Sequence, residues 1–106
     1  MPAVGLEVPG IGLESMLALQ AVDESVERDR AARKRATRII ALLTDLQRAM
    51  LTEDDPSSVL NALNDLTTNC PLADDPGLGA IVRSVLLRSR VEIARRESRP
   101  GGRRSG

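Results

Sequence analysis

The 106-residue chain contains no phenylalanine, tyrosine or tryptophan. Its core must be built from Leu, Ile, Val, Met and Ala. These side chains pack well between helices, but each buries less area than an aromatic ring. The expected stability is modest and open to reinforcement by a partner or by self-association. Histidine is also absent. That removes the commonest general base, the usual pH switch and the commonest metal ligand. The single cysteine, Cys70, cannot close an internal disulfide. No Lys or Arg adjoins it in sequence to activate the thiol, so it reads as a loop or core-edge residue. Residues 1–22 are apolar but carry Glu7 and Glu14 and no basic residue, unlike the charged start of a secretory signal. No uncharged apolar run approaches transmembrane length. The expected compartment is the cytoplasm.

Apolar residues make up 42 % of the chain, enough for one domain with one modest core. The formal net charge is zero, yet charge is unevenly spread. Residues 1–38 carry six basic and six acidic side chains, residues 39–82 set Arg48 against seven carboxylates, and residues 83–106 set eight arginines against Glu92 and Glu97. An acidic middle therefore lies between two segments rich in base.

No alternating apolar pattern of useful length suggests a strand. Pro2, Gly5, Pro9, Gly10 and Gly12 mark residues 1–12 as a flexible leader. Leu13 to Val22 reads as a short helix, too short to stand alone. A second helix is expected from about Ser25 to Leu51, opened by Asp23, Glu24 and Glu27, which suit the positive end of the helix dipole. Its second half places Ala36, Ile39, Ile40, Leu43, Leu46 and Met50 on one face. Its first half carries Arg28, Arg30, Arg33, Lys34, Arg35 and Arg38 among small alanines. Asp54-Asp55-Pro56 and Asp74-Asp75-Pro76 have the form of helix starts, with Asp as cap and Pro at the first helical position. The first opens a short helix carrying Val59, Leu60, Leu63 and Leu66. The second opens a longer one carrying Leu78, Ile81, Val82, Val85, Leu86, Ser89 and Ile93. Asn69-Cys70-Pro71 separates them. Residues 99–106 read as a disordered basic tail.

The sequence thus predicts an all-α domain over residues 13–98: an antiparallel three-helix bundle preceded by a short N-terminal helix. The helix from Asp54-Asp55-Pro56 is about half as long as the one before it. It can cover the apolar half, leaving the basic half, Arg28–Arg38, for the first short helix or for a partner.

No catalytic constellation is found. Triads built on histidine are impossible, and the serines lack an adjacent base. Gly10-Ile11-Gly12 has neither a third glycine in register nor a preceding strand, so no dinucleotide fingerprint is present. The carboxylate clusters lack the spacing of a calcium loop and are explained by capping. No cofactor and no metal are expected. The basic stretch can be a solvated face, a surface for an acidic protein, or a nucleic-acid contact. Asp29 and Glu27 dilute the field for nucleic acid, and no aromatic platform exists for bases.

Three segments resemble one known family. Met16-Leu17-Ala18-Leu19-Gln20-Ala21-Val22 is similar to its "LLALQ-x-V" entry. The basic helix leading into Ile39-Ile40-Ala41-Leu42-Leu43-Thr44-Asp45-Leu46 is similar to its basic run and "LLDxL" stretch. Asp75-Pro76 through Leu87-Arg88-Ser89-Arg90-Val91-Glu92-Ile93-Ala94-Arg95 is similar to its final "DP…LR-x-x-VELAK" helix. In order and spacing these resemble the FliX family of flagellar assembly regulators from alphaproteobacteria, over about residues 13–97. The resemblance implies a cytoplasmic regulator, not an enzyme, that couples basal-body assembly to late flagellar gene transcription by binding FlbD, a sigma-54-dependent activator. It carries over no residue-level motif. Partner contact is expected at Met16, Leu17, Leu19 and Gln20 together with Arg30, Arg33, Lys34, Arg35 and Arg38. The alternative is a small nucleic-acid-binding module using the basic face. No small-molecule substrate is expected, and the sequence leaves self-association open.

Overall fold

A computed structural model describes residues 12–97. They form three helices: α1 (Leu13–Thr52), α2 (Ser57–Thr68) and α3 (Pro76–Glu97), with no strand among the described residues. The leader residues before Gly12 and the tail from residue 98 lie outside the described residues.

The first difference from expectation is α1. The short helix over Leu13–Val22 and the long one from Ser25 are a single helix of 40 residues. The segment contains no glycine and no proline, so nothing between Val22 and Ser25 forces the backbone out of the α region. Starting a second helix would require another costly nucleus, whereas continuing the first adds one hydrogen bond per residue. Asp23 and Glu24 read as a start signal, but within an unbroken helix they are simply solvated side chains.

α1 ends by capping. Glu53 adopts a left-handed conformation, φ 60° and ψ 28°, and Ala49 O accepts from the N–H groups of both Glu53 and Asp54. The single hydroxyl proton of Thr52 is shared between Arg48 O at 3.0 Å and Asp54 Oδ2 at 2.8 Å. The chain turns over Asp54–Pro56, and α2 doubles back along α1 to Thr68, with Asn69 as its C-cap and Pro71 two residues beyond. Arg35 of α1 donates to Leu66 O and Asn69 O, both at 3.3 Å, which satisfies carbonyls at the end of α2. α3 then starts level with Arg28 and runs along α1 in the same direction, so that Arg88–Arg96 lie beside Ile40–Leu51.

The core is small and aliphatic. Ala32, Ala36, Ile39 and Leu46 from α1 meet Leu63 from α2 and Val82 and Leu86 from α3. Leu42, Leu43, Val59, Leu60, Leu66, Val85 and Ile93 pack around them. Ala32 and Ala36 are buried in the basic half of α1, and Gly79 is buried near the start of α3. Small residues let helices approach closely. The two buried hydroxyls bond within their own helices, Ser89 Oγ to Val85 O at 2.9 Å and Thr67 Oγ1 to Asn64 O at 3.1 Å.

The second difference concerns the basic half of α1, expected to lie uncovered. α3 is long enough to reach it, so one side of residues 28–38 is part of the bundle and the other faces solvent.

Leu63 is fully buried and is the central apolar contribution of α2. Leu63→Ala is expected to cost about 2–5 kcal/mol in urea unfolding, whereas Leu87→Ala on the exposed side of α3 changes stability by about 0.5 kcal/mol or less.

Candidate protein-binding site

The site begins where α3 ends its cover of α1. Arg28 donates through Nε and Nη2 to Asp74 Oδ2, at 3.0 and 2.6 Å. Its neighbour Asp29 accepts on Oδ1 from the N–H of Asp74 at 2.6 Å and of Asp75 at 3.2 Å. Asp75 Oδ2 accepts from Leu78 N at 2.8 Å and caps α3, with Pro76 as its first helical residue. Two consecutive side chains of α1 therefore clasp the start of α3, with one carboxylate placed against the positive end of its dipole.

Beyond this clasp α1 continues as an arm, residues 13–27. None of its residues is buried. Leu13, Met16, Leu17, Leu19, Val22 and Val26 are between 49 and 70 % exposed, an unusual density of solvated apolar side chains for so short a stretch. Its charged residues are Glu14, Asp23, Glu24 and Glu27. Three of the residues expected to meet a partner, Met16, Leu17 and Leu19, thus lie on a projecting helix with Gln20 beside them, all exposed.

The basic residues have different fates. Arg30 pairs with Glu27 one turn back. Arg35 is half-buried against the end of α2, so its role here is structural. Arg33, Lys34 and Arg38 are exposed on the solvent side of α1. Arg28, outside the expected set, serves the clasp. Only the sequence separation of 46 residues hid this pairing.

The acidic residues of the turn between α1 and α2 bond locally. Asp55 Oδ1 accepts from Ser57 N at 3.1 Å and from Ser57 Oγ at 2.7 Å. Pro56 sits at the cap position of α2 rather than inside it, so α2 starts one residue later than expected. Among the described residues no group of three His, Cys, Asp or Glu side chains is placed to hold a metal ion. Cys70 is half-buried, and burial pushes its thiol up, outweighing the nearby Arg35 and Arg90 charges. These two arginines come near through folding and are invisible in the local sequence.

A groove lies at the far end of α1 from the arm, between α1 and α3. It has a volume of about 430 Å³ and an apolar wall of Ile40, Leu43, Met50 and Leu51. On its other side Arg88, Arg95 and Arg96 all converge on Glu92, at 3.3, 3.6 and 2.8 Å.

The clasp makes stability depend on acid. The Arg28 guanidinium, with a hydrogen bond from Ser25 second, holds the Asp74 carboxyl below its ordinary 3.8. The Ser57 side chain and then its backbone N–H do the same for Asp55. A depressed folded-state pKa contributes stability that is present above the unfolded value and is lost as pH falls through the folded one. The melting temperature is therefore expected to hold from neutral pH to about 4 and to fall below it. Asp74→Asn should melt lower near neutral pH and show a shallower acid drop, read by circular dichroism at 222 nm.

Comparison with known proteins gives one finding. The family model described as FliX, class II flagellar assembly regulator, matches residues 3–97. No characterised protein and no solved structure matches the chain significantly.

Proposed function

Because the chain belongs to the FliX family of class II flagellar assembly regulators, we propose that it works as an adaptor without catalytic activity. It couples flagellar basal-body assembly to late flagellar gene transcription by binding a sigma-54-dependent activator of the FlbD type. The observation that carries this reading is the arm: a helix that continues past its own bundle with six apolar side chains in solvent. Such a surface suits insertion into the groove of a larger protein, read through anchors spaced along one helix. Arg33, Lys34 and Arg38 extend the contact with charge and favour an acidic rim on the partner.

The reading takes the domain as an antiparallel three-helix bundle whose task is to hold the arm, and takes the cytoplasm as its compartment. No described helix is long and apolar enough to cross a membrane, which fits that compartment. A nucleic-acid module is the weaker reading. Arg28, Arg30 and Arg35 are engaged within the chain, which leaves few free cations on the basic half.

Co-purification with an FlbD-type activator tests the partner. Arg33→Glu, Lys34→Glu and Arg38→Glu together should weaken binding by about tenfold or more while helix content stays unchanged. Arg35→Glu should instead lower the melting temperature, since Leu66 O and Asn69 O lose their donor. Failure of the folded wild-type chain to retain the activator would remove the partner assignment, and retention of duplex DNA at low salt would favour the nucleic-acid reading.

A further inference from the structure

The two ends of α1 carry opposite deficits. The arm, residues 13–27, exposes apolar side chains and carries four acidic residues and no basic one. The groove at the other end exposes Ile40 and Leu51, the latter 81 % exposed, beside three arginines that share one carboxylate. The groove lining thus holds three arginines and one carboxylate. Within it Arg96 Nε is buried with no hydrogen-bond partner among the described residues.

We propose that the arm of one chain docks in the α1–α3 groove of a second copy, completing there a fourth helix. The arm cannot fill its own groove. Both lie on one unbroken helix, with Ala21 and Gln47 about 39 Å apart along its axis at the standard rise. The dimensions match in trans: the arm is about 22 Å long and the α1 wall of the groove, residues 40–51, about 18 Å. Because arm and groove sit at opposite ends of α1, two chains with their α1 helices antiparallel exchange both arms at once. The result is a closed two-fold dimer with no site left over.

Charge selects this arrangement over the simpler one. Pairing arm with arm would bring two sets of four carboxylates together, and like charges side by side are destabilising. Arm in groove sets Asp23 and Glu27, which flank the Leu19–Val22–Val26 stripe on the helix, near Arg88 and Arg95. The same contact removes Leu19, Val22 and Val26 from water together with Ile40 and Leu51. Self-association occupies the arm that the activator contact also uses, so the two are mutually exclusive, but the dimer does not depend on that reading.

The test uses the full chain alone, so its result is independent of any activator. Light scattering with refractive-index detection suits a chain without Tyr or Trp. The expected mass at tens of micromolar is twice 11.4 kDa, with dissociation promoted by salt. An arm-reversed chain, with the two groove-facing acids changed as Asp23→Lys and Glu27→Lys, and a groove-reversed chain, Arg88→Glu with Arg95→Glu, should each associate about tenfold or more weakly. Mixed together they should form a dimer again, because each arm then faces a groove of opposite sign. Leu51→Glu, at a position with little to lose in the fold, should also weaken the dimer. A wild-type chain that stays monomeric over this range overturns the proposal. So does a dimer that neither the charge reversals nor Leu51→Glu weaken, or reversed chains that do not recombine.

Discussion

The clasp between Arg28–Asp29 and Asp74–Asp75 sets the geometry on which the rest depends. The upper seam between α1 and α3 is lined by Ala32, Ala36 and Gly79. Small residues allow close approach but carry little shape to distinguish one register from the next. Directional polar contacts at one level supply what the apolar seam lacks, much as a single polar position fixes register in a coiled coil. Once the clasp has closed, Val82 and Leu86 fall beside the core of α1, and Arg88 to Arg96 fall beside its last turns. The same contact decides where the bundle stops and the arm begins. An exposed ion pair contributes little net energy. Its value here is in alignment, and the Asp29 carboxylate adds acceptors for two N–H groups at the start of α3 that would otherwise need water.

Much of this was legible in the sequence. Apolar spacing marked most of the inner faces of the three helices, including Ile39, Leu46, Leu63, Val82 and Leu86, but it also placed there Ile40 and Ile81, which are about half exposed. The two Asp-Asp-Pro signals marked the starts of α2 and α3 within one residue, because capping is local chemistry. The junction at Val22–Ser25 misled for the same local reason. Asp and Glu favour the first turn of a helix, yet they also tolerate its interior, and only a backbone breaker would have ended it. Long-range pairings were not legible. Arg28 and Arg35 look like their neighbours Arg30 and Arg33, and what separates them is which side of α1 meets α3 or the end of α2. The groove was hidden likewise, since its two walls lie some 45 residues apart in the chain.

A core without aromatic rings gives the molecule a particular economy. The buried set is mostly Ala, Val, Leu and Ile, so the bundle is thin and leaves many apolar side chains at its edges. A thicker core would have drawn Ile40, Leu51 and Leu87 inward. Here they stay in solvent, as do those of the arm. Neutral overall charge conceals the same partition. Acid gathers on the arm and on the turns that cap helices, and base gathers on α3 and on the solvent side of α1. The chain therefore presents an acidic, apolar arm at one end of α1 and an arginine-lined groove at the other.

The unbroken course of α1 has a mechanical consequence. There is no glycine, proline or loop between the tip at Leu13 and the clasp at Asp29. Without such a break a helix bends only gently. A protein that grips the tip thus grips the whole domain at a fixed angle, as one holds a tool by its shaft. Any twist imposed there is delivered to Asp29, and so to the first turn of α3. The arm is in this sense a handle, and the state of the domain can be felt, or altered, from its far end.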